Sequence, residues 1–266
     1  MRIHHYLNIL LLALLLLTDT AKASAQRDTI NIIDWQFSRS ELTPEEATAG
    51  RGEWKAVRLP HDFQVEQPWI APDSSEKADN SDAAANVKSR LSARGFKEMW
   101  IGWYRRTLTP DPSWRQRRVM LEFGGIMLVG DVYLNGSRIG GSEYGYVPFG
   151  IDISKDLKYG QENVIVVKAD TRNANNSRWY TGGGLFRNVS LMITPREIFF
   201  DRHPLFVTTS HNDTVHVTAT IANYGKTKDG IVTARVLDSN GKVVVVSNTD
   251  LKYFRRKKIN EYKLND

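Results

Sequence analysis

The chain contains no cysteine in its 266 residues. That absence excludes disulfides, Cys-based zinc sites, thiol catalysis and lipid attachment through an N-terminal cysteine. The compact catalytic signatures are missing as well: there is no GxSxG elbow, no P-loop, no HExxH and no dinucleotide fingerprint. Histidine is scarce, with six in all, and two of these (His4 and His5) stand in the leader. His203, His211 and His216 are scattered, and the spacing of the last two puts them on opposite faces of a strand. Neither a metal site nor a cofactor is expected.

Long apolar runs are also lacking, with one exception. Ile9 to Leu17 is apolar throughout, preceded by Arg2, His4 and His5 and followed by Ala23-Ser24-Ala25 as a small-x-small cleavage site. The run is too short for a membrane span, which needs about 20 residues, and the whole reads as a secretory signal peptide over residues 1–25. The expected location is periplasmic or extracellular, with no membrane span after cleavage. Basic residues exceed acidic ones only modestly, 36 to 30, for a net charge of +6. The single dense basic run, Arg255 to Lys258, reads as a solvated strand end, and no recognition helix or RNA-binding sheet signature accompanies it. Nucleic acid is not an expected partner.

What remains is a chain of strands and turns. No segment beyond the leader keeps a 3.6-residue apolar period over three turns, and TPEEATA near Thr43 predicts one helical turn at most. GWYRRTLTP (Gly102 to Pro110) alternates as a half-buried strand. RRVMLEFGGI, NVIVVKAD and NVSLMIT predict further strands. In DVYLNGSRIG, Asn135-Gly136 separates two short apolar runs and marks a type I′ hairpin, because both residues accept positive φ. DSNGK predicts a second Asn-Gly hairpin. Residues 71–94 are small and polar and predict a long surface loop. A boundary falls in TPREIFFDRHP, dividing a domain over residues 26–195 from a second one over residues 196–266. The strands of the second domain resemble the opening of an immunoglobulin-like sandwich, which needs about 100 residues, so it is expected to be incomplete.

Three places invite a chemical reading. His61-Asp62 in RLPHDF is an acid–base pair by composition, yet no nucleophile stands beside it, and pinning a turn after Pro60 is the simpler role. Glu98, Glu122 and Glu143 are carboxylates of the kind glycosidases use in pairs, about 5 to 9 Å apart, a spacing that sequence does not reveal. The third place is SRWYTGGGLFRNVSL, residues 177–191, where Arg178, Trp179 and Tyr180 run through Thr181 into Gly182, Gly183 and Gly184. Asn, Arg and aromatic side chains suit sugar hydroxyls and apolar ring faces, while three glycines suit a tight corner with close backbone approach. The stretch is a binding loop, a corner, or both.

Several segments, in order, carry a family resemblance: WKAVRLPHDF, GWYRRTL, LEFGGIMLVGDVYLNGSRIG, YGYVPFGIDIS, YGQENVIVVKAD and SRWYTGGGLFRNVSLMI. Together they resemble the N-terminal sugar-binding domain of glycoside hydrolase family 2, which includes β-galactosidases, β-glucuronidases and β-mannosidases. The resemblance covers Ile30 to Thr194. It implies an all-β fold, a jelly-roll β-sandwich followed by a partial immunoglobulin-like β-sandwich. In the family a (β/α)₈ barrel follows and carries both catalytic glutamates. Such a barrel needs about 250 residues, so no catalytic residue is expected in this chain, which should be inactive alone. A catalytic barrel encoded downstream is the partner so implied. The family's jelly roll also sends a loop, just before its GxGxxR strand, toward the barrel mouth. Here that loop carries Asn173, Arg178, Trp179 and Tyr180 as the carbohydrate-contacting candidates. Some relatives have a carboxylate where Arg178 stands, which leaves the sugar open. The RWYxGxG form is more similar to exported β-galactosidase-type members, implying a β-galactoside-type glycan. Arg187 is assigned a structural role. The alternative is a stand-alone, non-catalytic carbohydrate-binding module.

Overall fold

The computed structural model describes residues 27–70, 97–172, 180–210, 215–225, 230–250 and the backbone of 260–264. The chain is all-β, and every strand pairing is antiparallel.

The first ten strands form two sheets. One has four strands in the order β1 (Asp28–Asn31), β10 (Val189–Pro195), β5 (Arg117–Phe123) and β8 (Phe149–Asp152). The other has six: β3 (Lys55–Arg58), β2 (Asp34–Ser38), β4 (Ile101–Leu108), β9 (Asn163–Asp170), β6 (Val129–Leu134) and β7 (Ser137–Ser142). Alternation dictates how they pack. In β5 and β10 the register pairs Leu121 with Leu191, Phe123 with Val189 and Val119 with Ile193, so one face of that sheet is apolar. Trp35, Phe37, Tyr104, Val132, Leu134, Ile165 and Val167 from the six-stranded sheet join the same core. Burying each large side chain contributes about 1.5–3 kcal/mol, and this shared core is what holds the sandwich together.

The outer face of the six-stranded sheet is covered too. Trp103 and Val166, which point away from the main core, pack under Ala47 of the short helix α1 (Pro44–Thr48). Thr43 and Glu46 close a reciprocal capping box at its start, so T-x-x-E in the sequence marks a real helix. It is slightly more than the single turn expected. A 3-10 turn at Pro112–Gln116 lies between β4 and β5.

Both predicted hairpins form, by different geometry. Asn135 and Gly136 have φ of 52° and 87°, as a type I′ turn requires, and join β6 to β7. Between β13 (Ile231–Leu237) and β14 (Val243–Asp250), only Gly241 has positive φ, 81°. There the Gly241 amide donates to Asp238 O at 3.0 Å and the Asp238 amide to Lys242 O at 2.9 Å. That is a three-residue loop closing on a glycine bulge, pinned by the Asp238 carboxylate on the Asn240 and Lys242 amides.

β11 (Ile198–Thr209), β12 (Val215–Asn223) and β15 (Asn260–Leu264) make a three-stranded sheet, and β13 and β14 pair separately. Leu205, Phe206 and Val207 on β11 and Val243 to Val246 on β14 are exposed. Contacts tie β11 back to the sandwich: Arg202 pairs with Glu122 and donates to Pro148 O at 3.1 Å, while the Arg118 guanidinium lies 4.7 Å from the Phe199 ring centre.

Candidate functional site

The glycine corner is a three-ply junction. On one side His61 N donates to Leu185 O (2.8 Å) and Phe63 N to Gly183 O (3.0 Å). On the other, Met127 and Gly184 exchange both backbone hydrogen bonds, at 2.9 and 2.6 Å. Such close approach leaves no room for side chains. A Cβ at Gly184 would overlap the Tyr104 hydroxyl, and one at Gly183 would press on Thr171 and Gln64. Gly182 and Gly184 also sit at φ of 76° and 103°, where glycine carries no steric penalty.

Asp62 clamps this corner. Its Oδ1 accepts from the Gly183 amide at 2.8 Å and from the Gln64 amide at 2.9 Å, and its Oδ2 accepts from the Tyr180 hydroxyl at 2.9 Å. Two residues on, the buried Gln64 accepts from the Thr171 hydroxyl at 3.1 Å. Thr171 in turn holds Trp100, through its Oγ1 and its amide. Asp62 and Gln64 thus hold the chain at Thr171 on one side of residues 173–179 and at Tyr180 and Gly183 on the other.

His61, beside Asp62 in sequence, faces a different set of groups. Its Nδ1 lies 2.8 Å from the Tyr104 hydroxyl and its Nε2 3.5 Å from Glu66, which is itself ion-paired with Lys55. Burial lowers the imidazole below its ordinary value of 6.5, outweighing the pull of Glu66 in the other direction. Lys55 holds the Glu66 carboxyl down, and burial pushes the Tyr104 phenol well above its ordinary range. At neutral pH the cluster is a neutral imidazole and a neutral phenol beside a paired carboxylate. Asp62 and His61 point to separate partners, so they form no acid–base pair and instead set the turn after Pro60.

Of the carbohydrate-contacting candidates, Tyr180 is exposed at the rim with its hydroxyl on Asp62. Asn173, Arg178 and Trp179 lie outside the described residues. Arg187 donates to Gly124 O and Tyr146 O, at 3.2 and 3.0 Å, and stitches three loops together. Glu98 pairs with Arg39 at 2.8 Å, and Glu122 is engaged by Arg202. Among the described residues no group of three metal-ligating side chains occurs. Sequence reasoning missed Gln64 and Thr171, and it gave Asp62 only a local turn. Their partners lie 107 and 121 positions away, where no motif spacing reaches.

Two antiparallel sheets closed on one apolar core define a β-sandwich. The sequence profile described as "Glycosyl hydrolases family 2, sugar binding domain" matches residues 50–195, more than half of the chain, and the chain belongs to this family. It is similar to the β-galactosidase BoGH2A of Bacteroides ovatus, at 29% identity over 79% of this chain and 24% of that protein. It is also similar to a β-glucuronidase of Formosa agariphila, at 26% identity over 86% of this chain and 24% of that protein. A solved family 2 member from Bacteroides cellulosilyticus superimposes with a TM-score of 0.72 and 26% identity, covering 90% of this chain and 30% of that one. The chain spans about a quarter of the length of these curated relatives.

Proposed function

We propose that this chain is the carbohydrate-binding portion of an exported, β-galactosidase-type family 2 glycoside hydrolase. The 266 residues alone bind glycan without hydrolysing it, and hydrolysis belongs to a catalytic barrel encoded downstream. The observation that carries this reading is the match to the family's sugar-binding domain, which ends at the same strand that follows the glycine corner. Export rests on the signal peptide over residues 1–25. Of the relatives' two named activities, the galactosidase reading rests on the RWYxGxG form of the loop.

Incubating the purified chain with chromogenic β-galactosides tests this. No release above buffer is expected. Turnover that disappears in Glu122→Gln or Glu143→Gln would overturn the non-catalytic assignment.

The division into residues 26–195 and 196–266 is proposed along with it. Exposed apolar side chains on β11 and β14 support a less completely covered second part. Limited proteolysis should cut within residues 197–266 while residues 30–194 persist, and equal resistance of both parts would contradict the division.

A further inference from the structure

The chain carries two Asn-Gly pairs, Asn135-Gly136 and Asn240-Gly241, each in the turn of a hairpin. Asparagine is a chemically labile residue, and glycine after it has no Cβ to keep its nitrogen away from the carboxamide carbon. The glycine amide nitrogen gives up its proton and attacks the asparagine Cγ. A C–N bond forms, and the carboxamide nitrogen leaves as ammonia. Water then opens the cyclic imide at either carbonyl, leaving aspartate or isoaspartate, with no oxidant or cofactor involved. We propose that Asn240 is a site of this spontaneous deamidation and that the fold withholds the same chemistry from Asn135.

The Asn135 carboxamide is held at both ends. Its Nδ2 donates to Asn163 Oδ1 at 2.9 Å and its Oδ1 accepts from the Val164 amide at 2.9 Å, while its main-chain amide donates to Val164 O at 2.8 Å. Asn163 is fully buried, and its own carboxamide is bonded to Lys158 and Gln161 as well. Swinging the Asn135 carboxamide toward the Gly136 nitrogen breaks both side-chain bonds and takes partners from Asn163 and Val164 at the start of β9. Reaction at Asn135 therefore requires the β6–β7 turn to part from β9.

Asn240 and Gly241 are exposed in the loop between β13 and β14. The Asn240 carboxamide has no hydrogen-bond partner among the described residues; its main-chain amide donates to the Asp238 carboxylate at 2.9 Å. One bond opposes the attack, from the Gly241 amide to Asp238 O at 3.0 Å, and it lies in an exposed loop where water replaces it. Two bonds with partly buried partners outweigh one of this kind, and at the usual net worth of a hydrogen bond they slow Asn135 by about tenfold or more. The products also change the loop. Isoaspartate adds a main-chain carbon where the Asp238 carboxylate closes the bulge on two amides, and either product sets a second carboxylate near Asp238. Like charges repel, so the tip of the β13–β14 hairpin loosens after modification.

Holding the purified chain at mildly alkaline pH and physiological temperature for several days, with tryptic peptides read by mass spectrometry at intervals, tests this. Trypsin separates the two sites, since Asn240 falls in Val236–Lys242 and Asn135 in Val119–Arg138. In the folded chain the shorter peptide should convert to paired aspartate and isoaspartate products at least about tenfold faster than the longer one. In urea sufficient to unfold the chain, the two rates should converge. The aged chain should be cut more readily between β13 and β14, and Asn240→Gln, aged alongside it, should not. Conversion of Asn135 as fast as Asn240 in the folded chain, or a tenfold difference that survives in urea, would overturn protection by the fold. No conversion at Asn240 would overturn the site itself, and equal sensitisation of Asn240→Gln would overturn the loosening of the hairpin.

Discussion

The Asp62 carboxylate accepts a hydrogen bond from the Gly183 amide at 2.8 Å, although the two residues stand 121 positions apart. With the Gln64 amide and the Tyr180 hydroxyl on the same carboxylate, this contact fixes the corner from which the candidate loop departs. Hydrogen bonds to charged groups are worth about 1.5–3 kcal/mol each, and orphaning a buried amide costs a comparable amount. Asp62→Ala should therefore lower stability by about 3 kcal/mol in urea unfolding. A loss below about 1 kcal/mol would mean that water replaces the clamp.

Gly184→Ala and Gly136→Ala separate two reasons for glycine. Both residues have positive φ, but a Cβ at Gly136 meets nothing within 4 Å, whereas one at Gly184 meets the buried Tyr104 hydroxyl. The hairpin variant should lose about 1 kcal/mol, the backbone cost alone. The corner variant should lose more than twice that or fail to fold. Equal losses would show that the corner can shift to admit a methyl group.

His61 gives the fold a pH dependence of definite sign. Burial lowers its imidazole below the ordinary 6.5, so the folded state disfavours the proton relative to the unfolded state. The associated stability is complete above that value and is lost as pH falls through the lower folded value. Between about pH 7.5 and about pH 5, wild-type stability should fall more steeply than that of His61→Gln. Parallel profiles, or an NMR titration of the ring above 6.5, would contradict the burial argument.

Glu122 and Arg202 join the sandwich to β11, and burial is the largest influence on Glu122, raising its carboxyl. Removing one member of a buried pair strands the other, at a cost of about 3–5 kcal/mol, whereas replacing both by apolar groups is often neutral. Because Glu122 is only partly covered, Arg202→Ala should fall at or below the low end of that range. Arg202→Met combined with Glu122→Leu should recover most of the loss. A double variant as unstable as the single one would show that the pair orients β11 rather than merely neutralising charge.

Much of the sandwich was legible in the sequence because its signals are local. Alternation in Tyr104, Leu121 and Val167 marks the inner face, and Asn135-Gly136 marks its hairpin within two residues. The capping box at Thr43 was equally local, though its helix reads as little more than a turn. The second hairpin showed its glycine but not its bulge, since Asn-Gly fits both geometries and the Asp238 carboxylate decides between them. The anchors of the rim loop were not legible. Asp62, Gln64 and Thr171 act through contacts more than a hundred positions away, and only the folded sheets bring them together.

The most direct test of the central claim is a saturation-transfer NMR experiment on the chain with lactose, followed over time in one sample. The account predicts transfer from protein to sugar protons, with no galactose or glucose signals appearing. Absence of transfer, or the growth of hydrolysis products, would contradict it.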